Sequence, residues 1–138
     1  MKNKYKPNKN VVSSLFKVIR EILKISRNVP ESIKENIPEI EFKKEFLTVK
    51  IQIPRGLGNT TIAKMLMKES KSSAYITGPY WKNMDTEFRG RCFSVRNYWN
   101  NLRGRKVDVL IIDCASCISN QDIEDVYRVT ANNYVFLG

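Results

Sequence analysis

Hydrophobic and polar positions follow a helical period near the start of the chain. Over residues 11–27, apolar residues recur at intervals of three and four, and charged residues occupy the other side. This spacing predicts an amphipathic helix with one buried face. The apolar set is Val12, Leu15, Phe16, Ile19, Ile22 and Leu23, and the charged set is Lys17, Arg20, Glu21 and Lys24. Pro30 and Pro38 bracket a short segment that is predicted to form one or two helical turns.

Strand periodicity begins at residue 46. Over residues 46–53, apolar side chains alternate with polar ones, which predicts a strand with one buried face. The apolar positions are Leu47, Val49, Ile51 and Ile53, and the polar ones are Thr48, Lys50 and Gln52. The later patterns predict helices at 62–70, around 91–102 and at 120–130, and strands at 73–77, 107–112 and 133–137. Alternating strands and helices predict an α/β fold with a mainly parallel sheet.

These elements divide the chain into three segments. Residues 1–10 are polar and basic and are expected to form a flexible tail. Residues 11–45 form an N-terminal helical segment, and residues 46–138 form the α/β domain. With 138 residues, of which 42% are hydrophobic, the chain is long and apolar enough for one core. It has no run of about eighteen apolar residues, so no membrane-spanning segment is expected.

Composition excludes several kinds of site. The chain has no histidine, which excludes Ser-His-Asp and Cys-His catalysis and every His-ligated metal site. It has three cysteines. This small, odd number disfavours a fold built on disulfides and favours a reducing compartment. Cys114 and Cys117 form a C-x-x-C pair, for which a half zinc site, a redox pair and two buried thiols are the alternatives.

The formal charge of +10 is concentrated in residues 1–106, whereas residues 107–138 are acidic. A basic body of this kind favours a polyanionic partner, DNA or RNA. Residues 80–106 interleave aromatic and basic side chains, a composition that can stack bases and neutralise phosphates. We take as nucleic-acid-binding candidates Lys82, Arg89, Arg91, Arg96, Trp99, Arg103, Arg105 and Lys106. The alternative is that the aromatic residues are core and the basic ones a solvated face; Tyr98 and Trp99 cannot both face the core from one helix.

A Gly-rich turn follows the first strand and precedes a helix, the setting in which backbone N–H groups and a helix N-terminus bind phosphate. The turn is Ile53-Pro54-Arg55-Gly56-Leu57-Gly58-Asn59-Thr60-Thr61. Fifty residues later, Val107–Ile112 is an apolar strand that ends at Asp113, as in strands whose aspartate holds magnesium. The two motifs occur in the order that a phosphate-loop (P-loop) domain requires.

The stretch Arg55-Gly56-Leu57-Gly58-Asn59-Thr60-Thr61 resembles the R-x-x-G-K-T-T loop of the large terminase subunits of tailed bacteriophages. These are DNA-packaging ATPases related to superfamily 1 and 2 helicases. Leu110–Ser119 is similar to the strand and acidic motif of that family, and Tyr134–Gly138 would lie on its next strand. The resemblance covers residues 46–138 and implies a sheet of P-loop NTPase type and a phage or viral source. It also implies nucleotide-binding positions at Arg55, Gly56, Gly58, Asn59, Thr60, Thr61 and Asp113, with ATP and Mg²⁺ if the loop is functional.

Two departures from the family pattern concern its chemistry. Asn59 stands at the lysine position and cannot supply a charge to the phosphates. Cys114 stands at the position of the catalytic glutamate and cannot act as a carboxylate base. Each loss removes orders of magnitude in rate from phosphoryl transfer. The resemblance therefore implies a reduced, inactive relative with no catalytic residues, no metal site and no cofactor.

The leading hypothesis is a non-catalytic protein of the host-cell cytoplasm that associates with nucleic acid and uses a degenerate terminase- or helicase-like fold. A second hypothesis is a weak ATPase in which Lys64, Lys82 or a second subunit replaces the missing charge. A third is an interaction protein that inhibits or scaffolds an acidic host partner. Self-association, a phage protein partner and the absence of a membrane partner complete these expectations.

Overall fold

The computed structural model describes residues 9–52, 58–77, 88, 90–113 and 118–138. In the described residues, an N-terminal group of three helices precedes five strands and three further helices. The helices are α1 (Lys9–Ser26), α2 (Glu31–Glu35), α3 (Glu39–Phe46), α4 (Asn59–Glu69), α5 (Tyr98–Leu102) and α6 (Asn120–Val126). The strands are β1 (Thr48–Ile51), β2 (Ala74–Thr77), β3 (Cys92–Ser94), β4 (Lys106–Asp113) and β5 (Thr130–Leu137).

The five strands form one sheet in the order β1-β5-β4-β2-β3, and every neighbouring pair is parallel. The α/β class and the parallel sheet predicted from the sequence are confirmed. The middle strand is β4, and its last five residues, Val109–Asp113, are all buried. This position explains the continuous apolar run in its sequence, because a central parallel strand has both faces covered.

Alternate residues of the strands enter two cores, one on each face of the sheet. On one face, α1 and α4 pack on Val49, Val109, Ile111 and Val135. On the other face, α5 and α6 pack on Ile76, Leu110, Ile112 and Phe136. The domain is therefore a three-layer arrangement of helices, sheet and helices.

The strand β1 lies at an edge of the sheet and pairs only with β5 among the described strands. The edge position explains its alternating sequence. Val49 is buried, whereas Lys50 is exposed and lies over the Phe136 ring with Nζ 5.8 Å from the centroid. One detail of the prediction is wrong: Leu47 packs on the core of the opposite face from Val49, because it is the C-cap residue of α3 and not part of the strand.

The structure differs from the helix predicted around residues 91–102. It forms the strand β3, a turn and then α5, which occupies only the second half of the range. Gly90 precedes the strand with φ of +84°, a conformation that favours glycine. The adjacent Tyr98 and Trp99 separate as expected, with Tyr98 buried and Trp99 37% exposed.

The N-terminal helix α1 confirms the predicted amphipathic helix but begins at Lys9, inside the expected tail. Its buried residues are Val12, Ile19 and Leu23. The short helix α2 confirms the prediction between the two prolines, and α3 is an additional helix at the end of the N-terminal segment. Within the described ranges, no helix combines the length and apolar character that crossing a membrane requires.

Candidate phosphate-loop site and basic surface

The candidate site lies where β1, β4 and β2 end, because parallel strands present their carboxyl ends at one edge of the sheet. Between β1 and α4, Gly58 has φ of +110°, and its carbonyl accepts a hydrogen bond from the Ile62 N–H at 2.9 Å. A side chain at position 58 would be strained, so this turn requires glycine. The predicted loop residues Arg55 and Gly56 lie outside the described residues.

Thr60 and Asp113 meet at this edge although 53 residues separate them in sequence. The Thr60 hydroxyl donates to Asp113 Oδ2 at 3.1 Å, and Asp113 is only 2% exposed. Thr60 stands in the first turn of α4, and Asp113 ends β4. The sheet thus joins the hydroxyl of the candidate loop to the aspartate of the apolar strand, as the two-motif hypothesis requires.

Tyr75 is a member of this cluster that sequence reasoning missed. Its hydroxyl donates to the same Asp113 oxygen, and the ring is fully buried in β2. Burial and then the charge of Asp113 raise the pKa of Tyr75 well above its ordinary value, so the hydroxyl keeps its proton and serves as a donor. Because a tyrosine in a short apolar strand reads as core, no sequence signal singled it out.

Asn59 and Thr61 complete the described part of the loop. The Asn59 Oδ1 atom is buried and has no hydrogen-bond partner among the described residues. Thr61 is exposed. An amide at position 59 presents a short neutral dipole where a P-loop presents an ammonium group.

The resemblance implies Mg²⁺ and ATP at this site, and the side chains fit the two groups unequally. A hydroxyl and a carboxylate are the protein donors that Mg²⁺ takes in P-loop enzymes, and Thr60 and Asp113 provide them. The described residues bring together no group of three or more Cys, Asp or Glu side chains. The polyphosphate of ATP does not fit, because the neutral side chain of Asn59 stands where a cation is needed to neutralise it. No nucleotide-dependent step therefore follows from these residues.

Arg91, predicted to bind nucleic acid, is engaged with the main chain. Its Nε donates to the Ser73 carbonyl at 2.9 Å, and its Nη2 donates to the carbonyls of Ser70 at 2.6 Å and Met67 at 3.0 Å. The guanidinium also lies 5.8 Å from the Phe88 ring centroid. These contacts tie the start of β3 to the end of α4, which is a structural role that the sequence did not indicate.

The other basic candidates are distributed over two edges of the sheet. Arg96 follows β3 at the carboxyl edge. Arg103 and Arg105 lie between α5 and β4 at the amino edge, and Lys106 begins β4 there. All four are exposed. Lys106 also borders a cavity of about 460 Å³ at the amino edge. Lys82 and Arg89 lie outside the described residues, as do Cys114 and Cys117.

Cys92 is the free cysteine within the described residues and is half-buried. Burial raises its pKa to about 11, against the opposing charge of Arg91. The thiol therefore stays protonated at neutral pH and is a weak nucleophile. Nothing in its surroundings favours a reactive role.

A polar network at the amino end of β4 links α1 to the sheet. Asp108 accepts hydrogen bonds from Arg27 at 2.9 Å, Ser70 at 2.8 Å and Asn132 at 3.0 Å. Arg27 also donates to the fully buried Asn133 at 2.9 Å. Burial by itself would raise the pKa of Asp108, but the hydrogen bonds and the Arg27 charge outweigh it and hold the pKa below its ordinary value.

We expect the stabilising contribution of Asp108 to depend on pH. Because its pKa is lower in the folded chain, the contribution is complete above the unfolded value of about 3.9 and disappears as pH falls through the folded value. Asp108→Asn should therefore lower the urea midpoint by more at about pH 7 than at about pH 3. Glu45→Gln, at an exposed site on α3, is the control. An equal loss at both pH values for Asp108→Asn would contradict this expectation.

Comparison of the sequence with known proteins identified no relative of this chain. No protein-family model matches the chain, and no curated protein is significantly similar to it.

Proposed function

We propose that this chain is a non-catalytic, nucleic-acid-associated protein built on a degenerate P-loop fold of the terminase and helicase kind. The observation that carries the proposal is the contact of Thr60 with Asp113 at the carboxyl edge of a parallel sheet, beside the turn at Gly58. These are the positions at which P-loop enzymes hold magnesium. Asn59 then supports the non-catalytic part of the proposal, because it removes the charge on which phosphate binding depends.

The nucleic-acid part of the proposal is supported by the exposed surface around α5. Trp99 is 37% exposed, which leaves an aromatic face available for base stacking. Arg96 precedes this helix in the chain, Arg103 and Arg105 follow it, and all three are exposed. No ion pair engages these three arginines within the described part of the chain, so their charges remain available to phosphates.

Removing four charges around α5 is expected to weaken binding to a fluorescein-labelled single-stranded oligonucleotide. The variant carries glutamine at Arg96, Arg103, Arg105 and Lys106. Each phosphate that is no longer neutralised should reduce the slope of log K against log salt by about 0.7, so the slope should fall by up to about 3. Anisotropy titrations between about 50 and 300 mM KCl measure this slope.

A matched variant removes four exposed charges elsewhere, with glutamine at Lys9, Lys17, Lys71 and Arg128. It has the same net charge, so it separates a local contact from the general field of a basic protein. Trp99→Ala should additionally raise Kd by about 5- to 150-fold, because base stacking contributes about 1–3 kcal/mol. Equal slopes for the two quadruple variants would exclude this surface as the binding site.

The contact of Thr60 with Asp113 also favours a second candidate, a weak nucleotide-binding protein. In that case another cation must replace the lysine that is missing at position 59. Lys64, one turn further along α4, is the described candidate. ATP turnover that disappears in Thr60→Ala would support this function, whereas no turnover in the presence of DNA would count against it.

A further inference from the structure

A cavity of about 460 Å³ lies between the N-terminal helices and the amino edge of the sheet. Its walls come from the end of α1, from α2 and α3, and from the first residues of β4 and β5. Thr60 and Asp113 meet at the opposite edge, so the cavity is separate from the candidate phosphate-loop site. Its volume falls within the range of about 300–1,000 Å³ that is usual for small-molecule sites.

Cations outnumber carboxylates in the lining of this cavity. The charged residues that line it are Arg27, Glu31, Lys34, Glu39, Lys43 and Lys106. The four cations come from separate parts of the chain, which are the residue after α1, the helices α2 and α3, and the strand β4. Because only the fold brings these groups together, the basic composition of one segment does not account for the cluster. An excess of cations around a concave site favours an anionic ligand.

Lys43 gives the cavity a buried cation. Its side chain is only 10% exposed, and its Nζ donates to the Tyr127 carbonyl at 2.8 Å. Glu39 Oε1 lies 3.4 Å from the same Nζ, although the Glu39 side chain is itself 83% exposed. An ammonium group has three N–H donors, and these two partners take at most two of them. Since a buried charge is costly unless its hydrogen bonds are completed, an anion in the cavity would stabilise Lys43 further.

The other three cations differ in how far the protein already uses them. Arg27 Nη2 donates to Asp108 at 2.9 Å, so its guanidinium is held in place and its charge is compensated. Lys34 and Lys106 are exposed, and within the described ranges neither has an ion pair. Glu31 also lacks an ion pair there, so the two lysines leave an excess of positive charge. These two ammonium groups are free to follow a ligand.

Apolar side chains form another part of the wall, which favours a ligand that carries an apolar group as well as a charge. They are Val29, Phe42, Leu47 and Ala131. A phosphate monoester offers three terminal oxygens and a charge of about −1.5 to −2 at neutral pH. A carboxylate offers two oxygens and one charge, so it satisfies fewer of the cationic donors around this cavity. The lining therefore matches a phosphate monoester with an apolar body better than it matches a carboxylate or a bare ion.

We propose that this cavity binds a phosphate monoester with an apolar body. The phosphate group would lie among Lys34, Lys43 and Lys106, and the body would lie against Phe42. A free small molecule and the terminal phosphate of a nucleic-acid strand present the same group, so either is a possible source. Lys106 is shared with the basic residues around α5, whereas Lys34 is not. Variants at Lys34 therefore test this site without altering the surface on which the proposed function rests.

Phenyl phosphate is the probe for this site. It is titrated into the isotope-labelled full chain, and the backbone N–H signals of Thr130, Ala131 and Asn132 in the cavity wall report binding by NMR. A Kd of about 1 mM or lower is expected for a ligand of this size. Benzoate keeps the ring with a smaller charge, and inorganic phosphate keeps the charge without the ring. Each should bind at least about threefold more weakly than phenyl phosphate.

Lys34→Gln should weaken the binding of phenyl phosphate at least about fivefold, because it removes a charged donor. The site is exposed, so the fold should tolerate the change. Lys71→Gln is the matched control, because Lys71 is an exposed lysine that does not line the cavity, and it should bind as the unaltered protein does.

Three outcomes would overturn the proposal. The first is no change in the cavity-wall signals at millimolar phenyl phosphate. The second is equal affinity in Lys34→Gln and Lys71→Gln, and the third is binding of benzoate as tight as that of phenyl phosphate. Where phenyl phosphate does bind as expected, a short oligothymidylate with a 5′-phosphate is compared with its 5′-hydroxyl form. Tighter binding of the phosphorylated strand that Lys34→Gln abolishes supports the site with a strand end as its ligand, and equal binding of the two strands supports it with a free ester.

Discussion

Replacing Arg91 by glutamine is expected to lower the free energy of unfolding by about 2–4 kcal/mol. The guanidinium donates to three main-chain carbonyls, those of Ser73, Ser70 and Met67. Hydrogen bonds from a charged donor contribute about 1.5–3 kcal/mol each, and the contributions of one group do not add fully. Since domains are stable by only about 5–15 kcal/mol, this change would shift the urea midpoint strongly.

The controls for this prediction separate geometry from charge. Arg91→Lys keeps the charge but has no planar fork, so it should recover only a small part of the stability. Arg103→Gln removes an exposed arginine that follows α5 and should change stability by less than about 0.5 kcal/mol. Stability equal to wild type in Arg91→Gln, at an unchanged urea m value, would show that the three carbonyls find other donors.

The sequence was most informative where the apolar residues of an element all pack on the core. The helix α1 follows from its hydrophobic period, because one of its faces is buried, and β4 follows from its continuous apolar run, because both of its faces are covered. The strand β3 was not predictable, because Cys92–Ser94 is too short to show a period. Its strand geometry comes from parallel pairing with β2, a tertiary contact.

The sequence was enough to predict that Thr60 and Asp113 lie together, but not which other residues surround them. The order of a Gly-rich turn and an apolar strand that ends in aspartate led to Thr60 and Asp113, and parallel pairing brings their strand ends to one edge. Tyr75 could not be found, because its hydroxyl partner is fixed only by the sheet order. The structural role of Arg91 could not be told from the roles of the other arginines, because its hydrogen-bond acceptors are main-chain carbonyls, which every residue has and which leave no signal in the sequence.

The helix α1 shows a different limit of periodicity. The hydrophobic period assigned Leu15 and Ile22 to the buried face together with Val12 and Ile19, although 38% of Ile22 is exposed. Two apolar rows on one helix overlap in a hydrophobic pattern, and only packing shows which of them enters the core. Val11, Val18 and Ile25 therefore had no interpretation until the position of α1 on the sheet was known.

Asn59→Lys is expected to create binding of Mg-ATP, whereas the unaltered protein is expected to bind none at millimolar concentration. The asparagine precedes Thr60 in the first turn of α4, where a P-loop carries the lysine that contacts the β and γ phosphates. Hydrogen bonds to a charged group contribute about 1.5–3 kcal/mol, so the affinity should rise by about 10- to 150-fold. Calorimetric titration of both proteins at physiological salt measures the difference.

The double variant Asn59→Lys, Thr60→Ala distinguishes loop binding from a non-specific effect of added charge. It carries the same extra lysine but lacks the hydroxyl that faces Asp113, so it should not bind Mg-ATP. Ser72→Lys, at an exposed position before β2, adds one charge outside the loop and should bind no ATP. Asn59→Lys by itself should bind ATP without hydrolysing it, because the resemblance places Cys114 at the position of the catalytic glutamate. Micromolar binding by the unaltered protein would instead show that another cation already serves the loop, and the proposal of a non-catalytic relative would give way to the weak ATPase.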